Sequence, residues 1–253
     1  MGAKTVSAGL VLLLGSSVHF LAGIESAIAQ PVQVMQQPIA QAKSYFRQAQ
    51  FKQAVGIYQQ ILANPKSETA IKIEALLGFA DIDLWNNSTT SADEKLQQAL
   101  KLSRQINDRA HESDALALLG AVARNQQNYP KALELINQAS TIAREIKHSK
   151  GEVRSRILLG SIFYSQEQYP KALETFQSAL KISETTPDND DIISIYDWIG
   201  TTYRELKDFK QSEENLQKQQ ALSRSTGYRP GEISGLMSIA ASLNLQKKPE
   251  LAV

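Results

Sequence analysis

Residues that could support catalysis or metal binding are few and widely separated in this sequence. Beyond Ala29 there are two histidines, His111 and His148, and neither has a partner at metal-ligand spacing. There is no cysteine, so neither a thiol nucleophile nor a cysteine-type zinc site can form. Phosphate-binding glycine loops and nucleophile-elbow motifs are also missing. We therefore expect no enzyme activity, no cofactor and no metal ion.

The acidic residues do not suggest a catalytic pair either. Asp190-Asp191 and Glu213-Glu214 are adjacent, and adjacent residues on a helix point to different sides. The acidic run 188–191 could be a weak calcium loop, but it lacks the glycine and the distal glutamate of an EF-hand. We interpret it as the start of a helix, where Asp and Asn side chains cap free amide groups.

The elements that would position a binding site show an internal repeat. Residues 118–139 and 158–179 are similar in sequence at an offset of 40, and both contain Leu-Leu-Gly followed by Tyr-Pro-Lys-Ala-Leu-Glu. A period of this size is typical of a solenoid of stacked units. Glycine within a helix costs about 1 kcal/mol relative to alanine, so its recurrence indicates that two helix backbones approach closely. The small residues, with one bulky residue among them, are Gly120, Ala132, Ile136 and Ala139 in one copy and Gly160, Ala172, Phe176 and Ala179 in the other.

This pattern resembles the tetratricopeptide repeat, a helix-turn-helix unit with small residues at fixed positions. The offset of 40 residues, longer than the usual length of about 34, is similar to the repeats of kinesin light chains. The resemblance implies an all-α fold, a right-handed α-solenoid of antiparallel helix pairs. We expect it to occupy residues 38–253, with about five full repeats and a partial sixth at 231–253.

Three places depart from the regular pattern. The interval from Gly78 to Ala92 is two positions longer than the matching interval in the other repeats, which predicts a lengthened turn in the second repeat. Gln219 replaces a small residue in the fifth repeat, so the pattern does not explain the packing there. The sequence stops one residue after Ala252, the first small position of the last helix. Either the chain is a fragment of a longer protein, or residues 231–253 form an unusual cap.

The N-terminal segment has the features of a secretory signal peptide. Lys4 supplies a positive charge, an apolar stretch follows, and Ala27-Ile28-Ala29 fits a cleavage site that would end the signal at residue 29. Residues 30–37 are then expected to be a disordered lead-in. The expected location is the periplasm or the extracellular space. The alternative is a membrane anchor formed by an uncleaved segment 5–24, since about 20 residues can span a bilayer.

The charge balance argues against a nucleic-acid partner. There are 27 basic and 26 acidic residues, a net charge of +1, with no basic stripe. The resemblance implies instead that the first helix of each repeat lines a concave groove for a peptide or protein partner. Transferred to this sequence, the groove positions give Phe46, Arg47, Phe79, Asp83, Arg124, Asn125, Arg154, Tyr164, Asp197 and Arg204.

The resemblance therefore implies a non-catalytic, exported scaffold for protein–protein interaction. An alternative is the N-terminal sensing or targeting arm of a larger multidomain protein that continues past Val253. Exported repeat proteins of cyanobacterial type resemble this, with a caspase-like peptidase domain after the repeats. A third possibility is an assembly factor anchored by residues 5–24.

Overall fold

The computed structural model describes residues 37–185 and 188–246, where all regular secondary structure is α-helical. The predicted signal peptide, most of the lead-in and Ala252 lie outside the described residues. None of the helices in the described ranges combines the length and the hydropathy that a transmembrane segment needs. Helix α1 covers residues 37–47 of these ranges. The others are α2 (Phe51–Ala63), α3 (Thr69–Trp85), α4 (Thr89–Gln105), α5 (Arg109–Asn125), α6 (Tyr129–Glu145), α7 (Ser149–Ser165), α8 (Tyr169–Ser183), α9 (Asn189–Glu205), α10 (Phe209–Thr226) and α11 (Arg229–Leu245).

The helices stack in a regular order that defines a solenoid. Each helix from α2 to α10 packs against the next one in the chain, and the odd-numbered helices from α3 to α11 also contact one another in series. The odd-numbered helices are the first helices of successive repeats, so they form the inner layer of the solenoid. The all-α solenoid of antiparallel helix pairs that the sequence predicts is confirmed.

A three-residue turn between helices explains the period of 40. Most helices are 17 residues long, so one helix and one turn together account for half of the period. After α5, the amides of Gln127 and Asn128 each donate a hydrogen bond of 2.8 Å, to the carbonyl oxygens of Arg124 and Ala123. These bonds satisfy free carbonyl groups at the helix end. Asn128 then accepts the amide of Lys131 at 3.2 Å and caps the next helix.

The second repeat has the same turn, so the lengthened turn expected there is wrong. Asn87, in the middle of the turn from α3 to α4, has φ 58°, close to the 60° of Gln127 in the third repeat. Ala80 therefore occupies the position of Gly120, and it is fully buried in the same core cluster as Leu96 of α4. The spacing from Ala80 to Ala92 equals that from Gly120 to Ala132, so the second repeat is regular and has an alanine where the third has a glycine.

Gln219 fits because α11 provides the space opposite it. The side chain is fully buried, and its Nε2 donates to the carbonyl oxygen of Gly231 at 2.6 Å. A Cβ added to Gly235 would collide with the Gln219 side-chain amide. Gln219 can thus replace the usual alanine because α11 has no side chain at Gly231 and Gly235, which face it.

Candidate functional site: a concave cavity

The first repeat contacts the fifth and sixth repeats across the inner surface of the solenoid. Nη1 of Arg47, at the end of α1, donates to both carboxylate oxygens of Asp190 at 2.5 Å, and Nη2 donates to the carbonyl oxygen of Thr226 at 3.2 Å. The guanidinium carbon lies 5.4 Å from the ring centroid of Tyr228, and the Phe46 ring centroid lies 6.4 Å from the same ring. We call these five residues the closing seam.

Behind the closing seam lies a cavity of about 460 Å³. The first helix of each of the first five repeats contributes to its wall, and α2 adds Tyr58. Because successive repeats contribute to a single space, a ligand in the cavity would contact side chains that are far apart in the sequence.

Four ion pairs in and beside the cavity connect different helices. In each pair, a basic and an acidic side chain approach within hydrogen-bond distance. The pairs are Lys43–Glu74 at 2.5 Å, Arg47–Asp190 at 2.5 Å, Lys150–Asp188 at 2.6 Å and Arg154–Asp114 at 2.9 Å. Lys43 and Lys150 are exposed, whereas Arg154 and Asp114 are the least exposed of these side chains, so the Arg154–Asp114 pair is screened least by salt.

Two further carboxylates in this region remain unpaired. Neither Asp81 of α3 nor Asp191 of α9 has an ion-pair or hydrogen-bond partner for its carboxylate among the described residues. Burial raises the pKa of each group to about 6, and Asp114 adds to this effect for Asp81. The Arg154 guanidinium acts in the opposite direction on both, but it is already paired with Asp114. The pKa of Arg154 is itself raised, most strongly by Asp114 and less strongly by Asp81 and Asp191. Burial acts on it in the opposite direction.

The unpaired carboxylates, and not the charge of the lining as a whole, distinguish this region. Four acidic and four basic side chains line the cavity, and Asp188 and Asp191 lie beside it. Among the six acidic groups in and beside the cavity, Asp81 and Asp191 are the two without a basic partner in the described part of the chain. His111 also lines the cavity, but its Nδ1 lies 2.6 Å from the carboxylate of Asp108, which caps α5.

Tyr58 provides an unpartnered polar group in the same wall. Its side chain is 2% exposed, and its ring stacks on Phe79 with centroids 6.5 Å apart. The hydroxyl lies beside the bare backbone of Gly78 and has no hydrogen-bond partner among the residues of 37–185 and 188–246. Burial raises the pKa of this phenol, with smaller contributions in the same direction from Asp81 and Glu74.

A second cluster lies at the other ends of the inner helices. The Tyr164 hydroxyl donates to the Glu205 carboxylate at 3.1 Å, and Arg204 donates to the same oxygen at 2.9 Å. The Tyr164 ring centroid is 5.4 Å from that of Trp198, and the Arg124 guanidinium carbon is 5.9 Å from the same indole. Burial raises the pKa of Tyr164 to about 12. These polar groups already satisfy one another.

The ten predicted groove residues thus fall into separate places. Phe46, Arg47 and Arg154 line the cavity. The second cluster holds Tyr164, Arg204 and Arg124, and Arg124 also donates to Asn125 at 2.8 Å. Asp197 accepts a hydrogen bond of 2.9 Å from Ser238 of α11, and burial raises its pKa.

Phe79 and Asp83 do not face the cavity, which corrects the prediction for the second repeat. They face α4, where Lys95 Nζ lies 2.8 Å from the Asp83 carboxylate and 4.1 Å from the Phe79 ring centroid. The prediction takes Gly78 as the recurring small residue of the repeat, whereas Ala80 occupies that position. Moving the frame by two residues selects Leu77 and Asp81, which do line the cavity.

Several cavity residues were not predicted at all. Asn87 holds the same turn position as Gln127 in the third repeat. Counting back from Asn87 assigns Asp81 to a position that faces the cavity. Asp190 and Asp191 were interpreted only as the start of a helix, and Asp188 does cap α9 by accepting their amides at 3.0 and 3.4 Å. Asp190 also lines the cavity and Asp191 lies beside it, and these positions depend on the curvature of the whole solenoid.

Comparison with known sequences identifies the family. Models of the tetratricopeptide repeat match residues 40–67, 113–185 and 193–226, together more than half of the sequence. The chain is a tetratricopeptide repeat protein. No curated protein matches its sequence.

Solved structures share the tetratricopeptide fold of this chain at low sequence identity. A Rap protein complexed with Competence and Sporulation Factor has a TM-score of 0.66 at 16% identity, covering 84% of this chain and 70% of that one. NprR in complex with its cognate peptide NprX has a TM-score of 0.60 at 12% identity, covering 94% and 72%. A Pyrococcus horikoshii signal-transduction ATPase with a tetratricopeptide repeat sensor has a TM-score of 0.54 at 21% identity, covering 83% and 33%. At these identities the likeness shows the fold alone.

Proposed function

We propose that this protein is a non-catalytic, exported scaffold that binds a short segment of a partner protein in its concave cavity. The observation that carries the proposal is the cavity itself, to which the first helices of five successive repeats contribute side chains. The tetratricopeptide fold suggests protein–protein interaction, and this cavity offers charged groups and aromatic rings within one concave space.

The volume of about 460 Å³ limits what can bind. Pockets for small ligands range from roughly 300 to 1,000 Å³, so the cavity suits a few residues of peptide better than a whole helix. Phe46 and Tyr58 offer aromatic surfaces that could anchor such a segment. The NprR structure contains a cognate peptide, and we extend peptide binding to this chain as part of the proposal.

Photo-crosslinking tests where peptides bind. We expect diazirine-labelled pentapeptides from a random library to crosslink to the inner residues of α1, α3, α5 and α7, as mapped by mass spectrometry. Phe46→Ala should reduce the yield at least tenfold, because it removes an aromatic surface from the cavity wall. Phe163→Ala is the matched control, since Phe163 lies in an outer groove beside Lys171. Crosslinks confined to that outer groove would contradict the proposal.

Export is tested by the intact mass of the native protein in its own cells. Loss of the predicted signal peptide should leave a species of about 25 kDa outside the cytoplasm. A retained N-terminus would contradict cleavage and favour an anchor at residues 5–24.

A much heavier species would instead favour the second candidate function, a sensing arm of a larger protein. The likeness to the Pyrococcus horikoshii ATPase, which has a tetratricopeptide repeat sensor and of which this chain covers 33%, supports that candidate.

A further inference from the structure

We propose that the cavity selects a peptide that carries a positive charge, with its ammonium or guanidinium group bound by the carboxylates of Asp81 and Asp191. The inference rests on the proposed function, because it assigns the chemistry of the ligand in that cavity. The cation could be the free amino terminus of the peptide or a Lys or Arg side chain.

The first argument is the pattern of pairing among the charged groups. Four acidic side chains in and beside the cavity each have a basic partner, whereas Asp81 and Asp191 have none within the described ranges. Carboxylates removed from water are normally paired or hydrogen-bonded. Arg154 is already bound to Asp114 at 2.9 Å and cannot neutralise both groups. A bound cation would supply the missing positive charge.

The second argument is independent of the charge count. The Tyr58 hydroxyl belongs to a side chain that is only 2% exposed, lines the cavity, and lacks a hydrogen-bond partner in the described part of the chain. A phenol oxygen can accept a hydrogen bond from an ammonium or guanidinium N–H. The hydroxyl lies against the Gly78 backbone, where a Cβ would collide with it, and both Tyr58 and Gly78 line the cavity.

The donor set favours an organic cation over a metal ion. No group of three or more His, Asp or Glu side chains in residues 37–185 and 188–246 converges in a way that could hold a metal. Two carboxylates and a phenol provide acceptors for the several N–H donors of an ammonium or guanidinium group.

The site should be sensitive to pH because protonation removes the charge that attracts the ligand. Asp81 is influenced by Arg154 and Lys150 of α7 and by Asp114 of α5. Asp191 is influenced by the same three groups and by Asp188. Burial raises the pKa of both carboxyls to about 6. Binding of a cationic peptide should therefore be strong above this pH and lost as the pH falls through about 6.

The test compares charged and neutral peptides on the full chain. We would prepare fluorescent pentapeptide libraries with one position fixed as Arg, Lys or neutral citrulline, each with a free or an acetylated amino terminus. By fluorescence polarisation at pH 7.5, we expect at least tenfold tighter binding when a cation is present. Dependence on acetylation alone would assign the amino terminus, and dependence on the fixed residue would assign a side chain.

Substitutions in the protein provide the second arm. Asp81→Asn and Asp191→Asn should each weaken binding of the cationic library at least tenfold. Asp93→Asn on α4, outside the cavity, should leave it unchanged. The cavity variants keep side-chain size and remove only an unpaired charge, so we expect them to fold.

The outcomes separate this inference from the proposed function. Peptides that crosslink inside the cavity but bind equally well with and without a positive charge would overturn the inference alone. Wild-type affinity in both Asn variants would do the same. If no peptide of any charge binds in the cavity, the proposed function fails and the inference fails with it.

Discussion

Gly160→Leu should lower the free energy of unfolding by about 3 kcal/mol, because it overpacks the contact between two helices. A Cβ added at Gly160 would lie 2.5 Å from Cε1 and 2.8 Å from Cδ1 of Phe176. The Phe176 ring is fully buried and stacks on Trp198 with centroids 5.5 Å apart. Because the ring cannot move away, helices α7 and α8 would have to separate.

Thermal denaturation of the full chain measures this effect, with a decrease in Tm of roughly 6–12 °C expected for a chain of this size. Gly56→Ala is the matched control. Gly56 also lies within a helix, but a Cβ added there has no neighbour within 4 Å. This substitution should therefore raise stability by up to about 1 kcal/mol. An unchanged Tm for Gly160→Leu would mean that the two helices are not in close contact in solution.

Gly160 also shows why the fold could be predicted from the sequence. A glycine that recurs within a helix, at a fixed distance before a bulky residue, reveals a contact between two helices. Gly120 and Gly200 repeat the arrangement, and an added Cβ would meet Ile136 at 2.6 Å and Leu216 at 2.7 Å. Each repeat contacts mainly its neighbours, so the sequence pattern within one repeat is enough to predict how its two helices pack.

The second repeat shows the limit of counting from a single residue type. Gly78 accommodates Tyr58 of the preceding repeat, with an added Cβ only 2.6 Å from the Tyr58 Cζ. Ala80 takes the position of the recurring glycine. Both are small residues that allow close approach, but to different helices. The type of a small residue does not show which neighbouring helix it faces. The turn residue with positive φ, such as Asn87 or Gln127, marks the same position in each repeat and therefore fixes the numbering within it.

The candidate site was less predictable because it depends on the curvature of the whole solenoid. Arg47 and Asp190 are 143 positions apart, and no repeated pattern connects them. Small rotations between successive repeats add up and bring the ends together. The sequence could indicate that Arg47 lies on the inner face, but not that Asp190 would be its partner.

The second large effect concerns Asp81, where we expect Asp81→Asn to stabilise the free protein by about 2 kcal/mol at pH 7.5. Burial raises the pKa of the Asp81 carboxyl from its ordinary value of 3.8 to about 6. Between these two values the folded state binds the proton more tightly than the unfolded state does, so this carboxyl destabilises the fold as the pH rises through that range. A shift of one pKa unit corresponds to about 1.4 kcal/mol, and the buried Asn amide retains part of the cost of burial.

Chemical denaturation at several pH values measures the effect. The advantage of Asp81→Asn should be complete above about pH 6 and should vanish below about pH 4, where the wild-type carboxyl is neutral in both states. Asp93→Asn, outside the cavity, is the control for removing a carboxylate from another helix. If Asp81→Asn were destabilising at pH 7.5, Asp81 would have to be paired in the folded protein, which contradicts the described geometry.

If Asp81→Asn both stabilises the free protein and weakens peptide binding, the two results have the same physical cause. An unpaired carboxylate inside the cavity destabilises the free protein, and a cationic ligand that binds only the folded state would offset that cost. The same peptide should then raise the Tm of the wild-type chain at pH 7.5, and raise it much less at pH 5 or in Asp81→Asn. Residues that break the local rules of stability are expected at binding sites, and Asp81 lies on the face of α3 where the repeats converge.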